Sequence, residues 1–286
     1  MTASLFRTGI AVQVFLCVTI IAQAQNRRVD AYFTTEEMPD LVKWLPAPPD
    51  TGSTLFINDI SRYYWGKEQR LDPERADMAI RDAEYSLDRI IKEFSGPFGL
   101  EISREGTPEI YKVLQEGTAT CDSICTNPKK YYMRTRPFVL LDEGTLTPAS
   151  EASLSRNGSY PSGHTILGWS AALLLMEINP ARADTLLARG MMFGESRVIV
   201  GAHWQSDVDA GYLAASVAYA KLHTSERFLA QMRRARDEFR RLTTPGRRPR
   251  PNASDPSRRR PGQSAPDRPS SPDRRSAPSR LRTTSR

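Results

Sequence analysis

The chain has 286 residues, of which 39% are apolar and 26% charged, with a formal net charge of +7 and three histidines. That length allows one large domain or two small ones, and past the first two dozen residues no apolar run is long enough to span a bilayer, which excludes a multispan membrane protein. The positive balance is confined to the end: from Pro245 onward there are twelve Arg and three Asp, net +9 against +7 for the whole chain, so the preceding residues carry net −2 and are not a basic nucleic-acid-binding body.

Residues 1–24 read as a signal peptide. Arg7 precedes the apolar run TGIAVQVFLCVTIIAQA, which ends in the small-x-small triplet Ala22-Gln23-Ala24. Cleavage after Ala24 and export to the periplasm or medium are expected; an uncleaved anchor helix is the alternative. Leu16 before Cys17 is not the small residue a lipidation site wants. Cleavage leaves Cys121 and Cys125, which an oxidising compartment would allow to pair; two free, buried thiols are the alternative.

Residues 25–244 read as one helical domain. Ala76 to Phe94 places apolar residues three and four apart opposite a charged face, which predicts one amphipathic helix. Thr107-Pro108-Glu109 has the order of a helix start: hydroxyl cap, proline, acid. Thr165 to Ile178 (TILGWSAALLLMEI) is a buried core helix, too short to span a membrane and ended by Asn179-Pro180. Ala181 to Gly190 starts another. Tyr212 to Leu222 is rich in Ala and Ser, which suits close packing, and Ser225 to Leu242 is amphipathic. No stretch alternates as a strand, and no repeat is visible. The expected fold class is all-α, a single helical bundle. Residues 245–286, rich in Arg, Pro and Ser, lack the apolar surface to offset the entropy of ordering and read as a disordered basic tail with affinity for anionic surfaces.

Three stretches carry chemical groups. In Lys129 to Pro137 (KKYYMRTRP), Lys129 and Arg136 are two helical turns apart, and Pro137 should stop the helix at Arg136. Interleaved with Tyr131 and Tyr132, these cations also fit a nucleic-acid surface or a plain solvated face. In Pro161-Ser162-Gly163-His164, proline and small residues before an apolar run mark a helix N-terminus. Its free N–H groups can cradle an anion, Ser162 adds a hydroxyl, and Gly163 admits a ligand to the backbone. An ordinary cap beside a surface histidine has the same letters. His203 and Asp207 share one face if Val198 to Leu213 is helical. The carboxylate would then fix the ring tautomer and free the other nitrogen as nucleophile or base. A surface pair, or a metal site completed by His164 and Asp209, fits the same spacing.

In combination the three are more specific. Lys-x6-Arg-Pro (Lys129–Pro137), Pro-Ser-Gly-His (Pro161–His164) and Ser-Arg-x5-His-x3-Asp (Ser196–Asp207), in that order, resemble the signature of the type 2 phosphatidic acid phosphatase superfamily. KKYYMRTRPF, NGSYPSGHT, EINP and SRVIVGAHWQSDVD, with LPAPP, Gly52-Ser53 and FSGPFG, are similar to the bacterial class A non-specific acid phosphatases over roughly residues 40 to 242. Val139 to Leu154 (VLLDEGTLTPASEASL) departs from that pattern and is expected near the mouth of the site, where it would affect substrate preference.

The resemblance implies hydrolysis of soluble phosphate monoesters through a phosphohistidine, with no metal and no cofactor. His203 would be the nucleophile, Asp207 its orienting carboxylate, and His164 the acid and then the base. Lys129, Arg136, Arg197, Ser162 and the Gly163 N–H would bind the phosphoryl oxygens. An acidic to near-neutral optimum follows from dividing two protonation states between two imidazoles. The alternatives are a vanadate-dependent haloperoxidase, a lipid phosphate phosphatase and a non-catalytic anion-binding protein. Homo-oligomerisation is left open, and no specific nucleic acid is expected as a partner.

Overall fold

The apolar stretch after Ser162 is the axis around which the other helices assemble. The computed structural model describes residues 30–244; the expectations for the leader, Cys17 and the tail from Pro245 fall outside the described residues. Eleven α-helices follow in chain order among them: α1 (Phe56–Gln69), α2 (Pro73–Asp82), α3 (Leu87–Phe98), α4 (Pro108–Ser123), α5 (Thr126–Tyr132), α6 (Pro137–Leu140), α7 (Pro148–Leu154), α8 (Gly163–Ile178), α9 (Ala183–Ile199), α10 (Gln205–Leu222) and α11 (Glu226–Thr243). No described residue lies in a strand, and no described helix is long and apolar enough to cross a membrane.

Helix α8 is apolar around most of its circumference because α9, α10 and α4 surround it, leaving the stripe of Trp169, Leu173, Met176 and Glu177 partly exposed. Ile166, Leu174 and Leu175 are wholly inaccessible, each burial contributing about 1.5–3 kcal/mol. Its contact with α9 is close enough to need glycine. A Cβ on Gly168 would stand 2.5 Å from the Phe193 ring, and one on Gly190 would stand 2.8 Å from the Ala172 methyl.

The amphipathic stretch Ala76 to Phe94 is two helices rather than one. The chain breaks at residues 83–86, where the Ser86 hydroxyl caps α3 by accepting from Arg89 N at 3.1 Å. The break frees the Ala83 carbonyl for a partner elsewhere. Helix α4 starts at Pro108 as expected, but Thr107 does not cap it. Its hydroxyl is engaged with the Ser103 backbone, while the buried Glu238 carboxylate of α11 accepts from Glu109 N (3.0 Å) and Ile110 N (2.9 Å). The acid at a positive helix end comes from across the bundle.

Cys121 and Cys125 are free, buried thiols, the alternative to the pairing that the compartment would allow. Both belong to the apolar core, and Cys125 also lines a cavity beside Asp122.

Candidate active site

The last turn of α4, helix α5, the start of α8 and the connections that carry Tyr85, Arg136, Asn157 and His203 meet around a cavity of about 420 Å³. Lys129, Arg136, Gly163, His164 and His203 line it, together with Tyr85, Asp122, Lys130 and Asn157. Residues from three stretches of sequence are thereby brought together.

The helix proposed to carry both His203 and Asp207 does not exist as such. Helix α9 ends at Ile199, and Gly201 turns the chain with a φ of +83°, a conformation that suits glycine. The amides of Ala202 and His203 then return to the Arg197 carbonyl at 3.1 and 3.2 Å, which fixes the backbone that carries the imidazole. Helix α10 begins only at Gln205. The pairing survives by another route: Asp207 sits in the first turn of α10, and its Oδ2 lies 3.2 Å from His203 Nδ1 and accepts from Trp204 N at 2.9 Å. With Nδ1–H donated to Asp207, Nε2 carries the ring's lone pair. Arg136 Nη1 stands 3.0 Å from it. Asp209 accepts instead from Gln205 Nε2.

The basic segment also differs from expectation. Helix α5 stops at Tyr132, where Met133 takes a left-handed conformation, and Arg134 to Arg136 run on as a connection into α6. Trp204 Nε1 ties that connection down through the Thr135 carbonyl at 2.8 Å. Arg136 is almost wholly buried, donating to the carbonyls of Leu154 (2.9 Å), Asn157 (3.2 Å) and Ala202 (3.0 Å). Lys129 Nζ donates to the Gly158 carbonyl at 3.0 Å. Leu154 lines the cavity, so the segment that departs from the class A pattern does border the site.

Arg197 and Ser162 lie just behind the wall. Ser162 is buried as the N-cap of α8, its hydroxyl accepting from Thr165 N at 3.3 Å. Arg197 is 1% exposed, and its Nε and Nη1 have no protein partner. A buried guanidinium with idle N–H groups is costly unless an anion is bound to it.

The electrostatics point the same way. Burial, then Arg136, Lys129, Arg197 and Arg134, push the His203 pKa well below its ordinary value. Burial and Arg197 do the same to His164, whose Nε2 lies 3.0 Å from the Ala83 carbonyl. Burial lowers Lys129 to about 8, Arg136 to about 10 and Arg197 to about 9. Cations are thus gathered in low dielectric with too little negative charge nearby, and an oxyanion would restore every one of these groups toward its charged form.

One functional residue was passed over in the sequence. Arg134 Nη1 donates to Asp207 Oδ1 at 2.6 Å and Nη2 to Asp59 Oδ2 at 2.7 Å, and Asp59 in turn accepts from Ser206 N at 2.8 Å. This buried network holds the carboxylate that holds His203. Arg134 stood inside the quoted basic segment, but nothing in the spacing separates it from the cations facing the cavity, and Asp59 is 148 positions from Asp207.

The PAP2 superfamily profile matches residues 114–228, which contain every one of the predicted site residues. Among individual proteins, the chain is 42% identical over 212 residues to a non-specific acid phosphatase of Providencia stuartii, covering 74% of this chain and 85% of that one. It is 39% identical over 226 residues to the non-specific acid phosphatase of Salmonella typhimurium (79% and 90% covered) and 32% identical over 247 residues to an acid phosphatase of Zymomonas mobilis (82% and 93% covered). The chain therefore belongs to the non-specific acid phosphatase family within the PAP2 superfamily.

Proposed function

We propose that the protein is an exported acid phosphatase that hydrolyses soluble phosphate monoesters through a phosphohistidine. The observation that carries this reading is the buried Arg197, idle toward the protein, beside Arg136, Lys129 and a neutral His203. A phosphate monoester brings the negative charge that such a cluster lacks.

In the first half-reaction His203 Nε2 attacks phosphorus and forms the N–P bond. The P–O bond to the leaving group breaks in line with it. Asp207 keeps Nδ1–H and stabilises the positive charge the ring gains. Arg136, within 3.0 Å of Nε2, is placed to hold a phosphoryl oxygen beside the attacking atom, with Lys129, Arg197, Ser162 and the Gly163 N–H on the remaining oxygens. His164 gives its proton to the departing alkoxide. In the second half-reaction it takes a proton from water, which attacks phosphorus as the N–P bond breaks, releasing phosphate. Phosphoryl transfer is served mainly by positioning and charge, which these residues provide without a metal.

Export rests on the residues 1–24 pattern, and the periplasm or medium is the proposed location. The tail is assigned contact with anionic surfaces, and homo-oligomers fall within the same reading. The decisive experiment is hydrolysis of p-nitrophenyl phosphate, nucleotides and sugar phosphates with and without EDTA, coupled to acid quenching of labelled substrate. Turnover insensitive to EDTA with an acid-labile, base-stable protein label is expected; turnover without any trapped label at a time resolution finer than kcat overturns the covalent route.

A further inference from the structure

Two polar groups on the cavity wall have no part in that mechanism: the Tyr85 hydroxyl and the Asp122 carboxylate. They arrive from separate elements, Tyr85 from the link at residues 83–86 between α2 and α3, and Asp122 from the last turn of α4. The hydroxyl donates to Asp122 Oδ1, a short contact between groups 37 residues apart. The bond passes beside the chain entering α8, since a Cβ on Gly163 would stand 3.1 Å from Tyr85 Oη and 3.4 Å from Asp122 Oδ1.

The same link also meets His164. The Tyr85 ring centroid is 4.6 Å from that of His164, tilted by 56°. Two residues earlier, the Ala83 carbonyl lies 3.0 Å from His164 Nε2. As the carbonyl can only accept, Nε2 carries a proton and Nδ1 is the nitrogen left for exchange. One short link therefore holds the imidazole by a ring nitrogen and by a ring contact. Tyr85 is itself 49% exposed, so packing alone does not pin it. Its bond to Asp122 is the tie that does.

We propose that Tyr85 and Asp122 form a clasp that positions His164, so that Nδ1 delivers its proton to the leaving-group oxygen. Tyr85 and Asp122 are positioning residues, acting through His164. The inference rests on the phosphatase reading and adds to it which nitrogen works and what aims it. A loosened clasp costs most where the leaving group most needs a proton. It costs little where the leaving anion is already stable, and it leaves the cationic cradle untouched.

The test uses the full chain and kcat/KM, which reports on the half-reaction in which the leaving group departs. Tyr85→Phe keeps the ring and removes the tie. It should lower kcat/KM for glycerol phosphate roughly tenfold and that for p-nitrophenyl phosphate by at most about threefold. Inhibition by inorganic phosphate should shift by less than about twofold. Asp122→Ala should reproduce this pattern, whereas Asp122→Asn, which retains an acceptor oxygen for the hydroxyl, should recover most of the wild-type ratio between the two esters. That ratio is independent of how much of each variant folds. Equal losses on both esters in Tyr85→Phe, or an Asp122→Asn ratio no better than that of Asp122→Ala, would overturn the clasp. A wild-type protein inactive toward both esters would instead overturn the phosphatase reading, and the clasp with it.

Discussion

The two histidines of the site live in opposite surroundings. His203 is 1% exposed and belongs to a closed network: Asp207 on one nitrogen, Arg136 on the other, and Arg134, Asp59 and Ser206 behind them. His164 has one backbone partner and a half-exposed tyrosine for a neighbour, and it is itself only partly buried. The contrast matches the demands that the proposed mechanism makes on each. A nucleophile meets the same phosphorus geometry in every substrate, so a rigid mount suits it. A proton donor must meet leaving groups of many shapes, so a less enclosed position and a lighter tie suit it.

The contrast is broken most completely at the histidines themselves. His203→Ala should abolish the trapped phosphoenzyme. His164→Ala should still form it from p-nitrophenyl phosphate while losing about 10²–10⁴-fold on an alkyl ester, because only the poor leaving group needs the acid. Rapid-quench labelling decides the matter: label retained by the His203→Ala protein would exchange the two assignments.

The rigid side can next be probed from behind. Arg134→Met leaves Asp59 and Asp207 buried without their shared cation, and losing one partner of a buried ion pair costs about 3–5 kcal/mol. A large fall in the denaturant midpoint is expected together with a fall in kcat, because Asp207 no longer holds His203. An unchanged midpoint would mean that the network is not what holds this side rigid.

Titration sharpens the comparison further. Both imidazoles are held neutral well below their ordinary range, so as pH falls through the ordinary range the unfolded chain takes up protons that the folded one refuses, and stability declines. A bound oxyanion opposes those cations and raises the proton affinity of both rings, so anion binding takes up protons and tightens as the pH falls. At the other end Lys129 sheds its charge above about pH 8 and binding weakens. Sulfate is the probe to use because its own charge does not change between about pH 5 and about pH 9. Its inhibition constant should rise steadily over that interval, by up to about tenfold per unit in the steepest part. An inhibition constant independent of pH would contradict the charge assignment.

The smallest effect is expected farthest from either histidine. Truncation at Pro245 should leave turnover of a soluble monoester nearly unchanged, while retention on a polyanionic resin at low salt falls, since twelve Arg against three Asp are removed. Loss of most activity would place the tail within the catalytic unit.

Much of the site was legible in one dimension because its chemistry depends on residue type and short spacing. Pro161–His164 reads as a helix start whatever surrounds it, and α8 follows. The same holds for the pairing of His203 with Asp207, four residues apart. Its geometry was not legible: the expected single helix is interrupted by Gly201, and only the packed structure shows the turn that returns the Ala202 and His203 amides to the Arg197 carbonyl. The helix predicted across residues 76–94 was divided for a similar reason. Periodicity registers a shared apolar face but not a break that sends one carbonyl and one tyrosine to a distant histidine.

By itself the sequence determined the helical class and the order and types of the polar groups that the structure gathers around the cavity. These follow from local periodicity, capping chemistry and side-chain charge. Tertiary structure alone decided which arginine faces the cavity and which braces Asp207, that Glu238 rather than Thr107 caps α4, and that Tyr85 reaches Asp122 beside His164. Each of these depends on groups tens to more than a hundred residues apart, which are brought within hydrogen-bonding distance only by burial of the apolar faces around α8.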